Sequence, residues 1–196
     1  PQRALIFLLL LAGHGAAFAH SPIKGLNNFY NGLLHPVFVP AHLLLLIALG
    51  LFLGQQGPKE NHPALAAFLL ATIAGLTAAW FSIGSGMEAI LLVAAAAAGL
   101  LIAIRPTVGL WGCTLIAALA GFFLGMDSAQ ASLAGKEKLV ALFGSGIAIY
   151  FLMLYPMALA DHFNRKAWHR IGVRVVGSWI AASSLLVLAL SLSPRA

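Results

Sequence analysis

Residues 35–54 read HPVFVPAHLLLLIALGLFLG: two histidines seven positions apart, two prolines between them, then twelve residues without one polar side chain. The apolar run belongs in a hydrocarbon layer, and imidazoles do not. How His35 and His42 are presented therefore decides how the first span is built. On a continuous helix, residues seven apart share a face about 10 Å apart along the axis. That is too far for one metal ion bonded at about 2.0–2.1 Å to each ring. Pro36 and Pro40 cannot donate backbone hydrogen bonds, which predicts a bent or non-helical segment between the histidines. A bend brings the rings together or aims both into one cavity.

Composition places this run among several like it. Of the 196 residues, 61% are hydrophobic and 8% charged, with a mean hydropathy of +0.97. Soluble domains are about one-quarter charged, so this chain cannot cover a water-facing surface. Repeated apolar runs of roughly 18 or more residues, separated by short polar gaps, indicate an all-α polytopic membrane protein with the bilayer as its first partner. The net charge of +6 comes from lysines and arginines in the gaps, where the positive-inside bias places them, and argues against nucleic acid as a partner. Cys113 is the single cysteine, which excludes an intrachain disulfide and reads as a small core residue.

Residues 1–19 read as a cleavable signal peptide: Arg3, an apolar stretch from Ala4 to Ala12, and the A-x-A signature Ala17-Phe18-Ala19. Residues 20–196 then form a single membrane domain, a six-transmembrane-helix bundle with spans near 36–54, 64–82, 87–104, 108–125, 139–160 and 173–192. Exporting His20 puts both termini outside, in a bacterial inner (plasma) membrane. The stretch DHFNRKAWHRIGVR carries four basic residues in one inner connection, in agreement with that orientation. Small residues within the spans, as in VAAAAAGLL and LFGSGIAIY, predict close helix–helix contacts.

Glu60, Glu137 and Asp161 fall in loops and read as solvated. Glu88 opens the third span and Asp127 closes the fourth, both on the outer side. An ionisable group at membrane depth costs about 2.5–3.5 kcal/mol on insertion scales, so it faces partners or a cavity. His62, His162 and His169 fall in inner connections and read as surface residues, leaving His20, His35 and His42 outside. A lone histidine near an interface is more often an anchor or a packing residue. It is the gathering of histidines and acids on one side that points to metal. Met126 could add a soft ligand but reads as core. A free N-terminal His20, with its amine and ring, would suit copper; the bland alternative is a mobile tail. No nucleophile–base set or phosphate loop is present, and SIGSG joins two membrane helices rather than a strand and a helix, so the chain does not read as an enzyme.

With these residues in hand, FYNGLLHPVFVPAHLLLLIALGLFLG, continuing through GSGMEAILLVAAAAAGLLIAIRP, resembles the HupE/UreJ family. The resemblance covers essentially the whole mature chain. It implies a hydrogenase or urease accessory membrane protein that binds or transports nickel. His35 and His42 match the two histidines of the family's first-span motif, and Ala41 stands where its aspartate belongs. Glu88 matches a glutamate at the start of the third span. The family's histidine-rich fourth-span segment is replaced by GFFLGMDSAQ, with Leu124 and Ser128 at the imidazole positions. The resemblance thus implies a nickel site at His35, His42 and Glu88; the residues themselves add Asp127 and, with copper as the alternative ion, His20, the site feeding a cavity between the first, third and fourth spans. The alternative is a non-transporting structural or assembly subunit of a larger membrane complex, or a homo-oligomer, that has lost the motif.

Overall fold

The computed structural model describes residues 25–83, 86–130, 132–164 and 166–193. These form helices α1 (Asn28–Phe38), α2 (Pro40–Gln56), α3 (Pro58–Trp80), α4 (Glu88–Ile104), α5 (Leu110–Met126), α6 (Gly135–Phe163) and α7 (Ala167–Leu192), with no strand among the described residues. The expected signal peptide, residues 1–19, and His20 lie outside the described residues.

Local chemistry sets the break between α1 and α2. Asn27 caps α1, its Oδ1 accepting the Tyr30 N–H at 3.1 Å. Pro36, inside α1, has no N–H to give the Gly32 carbonyl one turn back. Ser145 of α6 supplies the missing donor: its hydroxyl reaches the Gly32 carbonyl at 3.0 Å, within a buried contact. A helix in lipid needs such a replacement, because no water is there to provide one. Val39 precedes Pro40 and takes the extended backbone that a following proline favours, φ −91° and ψ 107°. Pro40 then begins α2, at the helix position where a missing N–H costs least. The two helices meet at a 71° bend.

Beyond the bend, α2 runs through the middle of the bundle, with most of its side chains from Ala41 to Gln55 buried. The other helices surround it: α3 packs on α5, α4 on α7, and α6 on both α1 and α2. Close approach is built on glycines. A Cβ on Gly50 or Gly54 would run into the Met153 or Met157 carbonyl of α6, and one on Gly75 into the Phe122 carbonyl of α5. Between α4 and α7, a Cβ on Gly99 would lie 2.7 Å from the Gly177 carbonyl. In lipid, where burial of apolar surface does not drive helices together, such backbone contact takes over that role. Large apolar side chains, Leu70, Ile104, Trp111 and Trp179 among them, point outward.

Six full spans are not what the helices give. Three of them, α3, α6 and α7, are long and apolar enough to cross a membrane, and the bent α1–α2 pair makes a fourth. The two remaining apolar helices, α4 and α5, have 17 residues each, about 25 Å at 1.5 Å per residue, against a hydrocarbon core of about 30 Å. Their ends are fixed locally. Arg105 takes a left-handed conformation (φ 59°) as the C-cap of α4, with Pro106 next in the chain, and α5 stops at Met126 so that Asp127 can turn inward. Lys138 also departs from a simple outer-loop charge. It is buried, and its ammonium donates to the Trp80 carbonyl (3.1 Å) and the Ser82 hydroxyl (3.0 Å), where positive charge suits the C-terminal end of α3.

The glycine contacts make a direct prediction. Gly75→Val should destabilise the detergent-solubilised protein by about 1–3 kcal/mol, read as a lowered melting temperature. Gly109→Ala, where an added Cβ meets nothing within 4 Å, should stay within about 0.5 kcal/mol of the parent. Equal melting of the two variants would remove close packing as the organising contact.

Candidate functional site

His35 sits in the last turn of α1 and His42 in the first turn of α2, so the bend folds one ring onto the other. Their centroids are 5.2 Å apart with the planes at 76°. Two imidazoles bonded to one ion at about 2.0–2.1 Å have ring centres roughly 5 Å apart, so the separation fits a shared metal. Both are buried, His42 completely.

Asp127, the first residue beyond α5, completes the arrangement from across the bundle. Its Oδ2 lies 3.1 Å from His42 Nε2, and its Oδ1 accepts the Met87 N–H at 3.0 Å. Among the described residues it is the one buried acid. Leaving such a carboxylate without partners would cost several kcal/mol, and these contacts offset that. A neutral imidazole that gives its Nε2–H to the carboxylate keeps a lone pair on Nδ1. His42 Nδ1 is buried and has no hydrogen-bond partner among the described residues. Asp127 thus acts on the imidazole from behind, as carboxylates behind metal-ligating histidines do.

The other expected ligands do not join. Glu88 is half-exposed in the first turn of α4. Among the described residues no three His, Cys, Asp or Glu side chains gather in a metal-holding group. Met126 is buried as core. Ala41 is fully buried, so the position of the resembled motif's aspartate holds only a methyl group. Leu124 is apolar and buried, and the Ser128 hydroxyl turns back onto the Leu124 carbonyl at 2.7 Å. Neither replaces an imidazole.

Two polar residues beside the site escaped the sequence reading. Asn31, one turn before His35, is buried and donates to the Leu26 carbonyl at 3.2 Å. Gln130, three residues past Asp127, donates to the Asn31 carbonyl at 3.4 Å. Helical spacing back from His35 would have found the first, but nothing local marks the second. The cavity between α2, α4 and α5 is present, at about 270 Å³, but Leu45, Leu49, Leu91, Ile116 and Phe123 are typical of its wholly apolar wall. It does not continue the polar site. Below His42, α2 carries only apolar residues until Gln55.

Residues 7–187 match the family described as HupE / UreJ protein. The chain belongs to the HupE/UreJ family. No curated protein and no solved structure matches it. Membership and the apolar helices make it an integral membrane protein, consistent with an accessory role in nickel or related metal handling.

The His42–Asp127 contact can be measured by a double-mutant cycle. Asp127→Leu alone should cost about 2–4 kcal/mol, because it strands a buried imidazole N–H and the Met87 N–H. Adding His42→Leu should recover part of that loss, with a coupling of about 1–3 kcal/mol in unfolding measurements. Additive effects would show that the two side chains do not interact.

Proposed function

We propose that this HupE/UreJ member is a transition-metal permease or metal-binding membrane protein whose cargo is captured at His35 and His42. One observation carries the reading: two buried imidazoles stand 5.2 Å apart across a helix break, one of them held by a buried carboxylate. Imidazole nitrogen suits nickel, copper and zinc; the family favours nickel, with copper the alternative. His42 would offer Nδ1, its proton fixed on Nε2 by Asp127. Two protein ligands leave coordination positions for water or further groups, so the ion is held loosely enough to leave again, as conduction requires. In this reading the chain passes the membrane six times, α4 and α5 being short passes, with both termini and the histidine pair outside.

A second reading, a non-transporting subunit of a larger membrane complex, is favoured by the apolar cavity beneath the site, which offers a cation no polar path. Binding and uptake separate the two. For a permease, nickel binding and vesicle uptake should both be lost in His35→Ala/His42→Ala. Asp127→Asn should weaken binding about 10–100-fold, and Glu88→Gln should leave it within about twofold, half-exposed residues being peripheral to the pair. Binding without uptake in the parent would favour the subunit. No binding of nickel, copper, cobalt or zinc by folded protein would sink the metal reading altogether.

A further inference from the structure

Far along α2 from the histidines, a groove of about 690 Å³ runs between Ile47 and Leu51 of α2, Tyr155 and Leu159 of α6, and Val173 and Val176 of α7. Its surface is almost wholly apolar, and it is open on the side where Tyr155 and Leu159 are exposed. At one end the chemistry changes. His169 lines the groove, and Lys166, the extended N-cap of α7, precedes it by three residues. His162 follows Leu159 by three and Tyr155 by seven, on the facing helix. Arg170 is adjacent. Asp161 is the one acid between residues 160 and 193.

Two neighbouring arginines are already engaged: Arg174 Nε donates to the Ala103 carbonyl at 2.7 Å, and Arg105 to Asn164 Oδ1 at 2.6 Å. Among the described residues, Lys166 and Arg170 have no ion pair or side-chain hydrogen bond. The groove floor is Gly172. Within the helices, away from their ends, the other described glycines lie within 3 Å of an atom that an added Cβ would strike, but Gly172 meets nothing within 4 Å. Helix contact therefore does not require it, and a mid-helix glycine costs about 1 kcal/mol relative to alanine. Its effect is to leave the groove unfilled.

We infer that the groove binds one anionic phospholipid of the bilayer, with an acyl chain over Gly172 and the phosphate against Lys166 and Arg170. The apolar walls select a hydrocarbon chain. The cations at its end select a headgroup with net negative charge, since a zwitterionic lipid brings its own ammonium to the same place.

Native mass spectrometry of the full chain in detergent tests this, with phosphatidylglycerol, phosphatidylcholine of the same acyl chains, and inorganic phosphate as probes. One phosphatidylglycerol should be retained per chain, with a preference over phosphatidylcholine of about 10–30-fold, from two basic residues. Gly172→Leu should abolish retention while melting at or above the parent temperature. Lys166→Gln/Arg170→Gln should bring the two lipids to parity with a lipid still bound. Equal retention of both lipids by the parent would overturn the inference, as would undiminished retention in folded Gly172→Leu. So would inorganic phosphate binding as tightly as phosphatidylglycerol. Should Gly172→Leu not fold, the Lys166/Arg170 variant decides: an unchanged lipid preference there overturns it.

Discussion

A proline disfavours helical backbone in the residue before it, and a helix in lipid cannot leave a backbone group unanswered. Val39 and Pro40 impose the first condition, and the Ser145 hydroxyl on the Gly32 carbonyl answers the second. The result is a sharp corner inside the bundle. Without it, His35 and His42 would stand one above the other along a helix. With it, the rings meet edge to face and α1 lies across α6 while α2 goes on through the centre.

The corner would be of little chemical use without the carboxylate that meets it. Ala41 leaves the local position empty, and Asp127 arrives from another helix, 85 residues away in sequence, to hold His42. Buried polar pairs of this kind contribute little net stability, and apolar replacements of both partners are often tolerated. What the pair supplies is orientation, the carboxylate oxygen holding the His42 ring at Nε2 from across the bundle. Beside it, glycine contacts set the spacing of α3 and α5: a Cβ on Gly125 would lie 2.5 Å from the Thr72 carbonyl.

Much of the architecture was legible in the chain. The apolar runs located the helices, and Pro36 and Pro40 gave the bend away, because both are local signals. Asp127 stood out as an acid at membrane depth, but its bond to His42 is a long-range contact that no spacing reports. The shortness of α4 and α5 depends on where Arg105 and Asp127 turn, and so on tertiary partners. The buried position of Lys138 is likewise set by the end of α3, more than fifty residues earlier. The cavity between α2, α4 and α5 is apolar because residues 43–54 of α2 carry no polar side chain and the facing helices add none.

The central position of α2 bears on how the molecule is made. This helix leaves the ribosome before α4, α6 and α7, which later enclose it. Until Ser145 is synthesised, the Gly32 carbonyl has no hydroxyl to meet it, and until Asp127 arrives, His42 has no anion behind it. The partners that hold the corner are thus synthesised about a hundred residues after it. Until the bundle closes, the corner of His35 and His42 lacks the contacts that hold it.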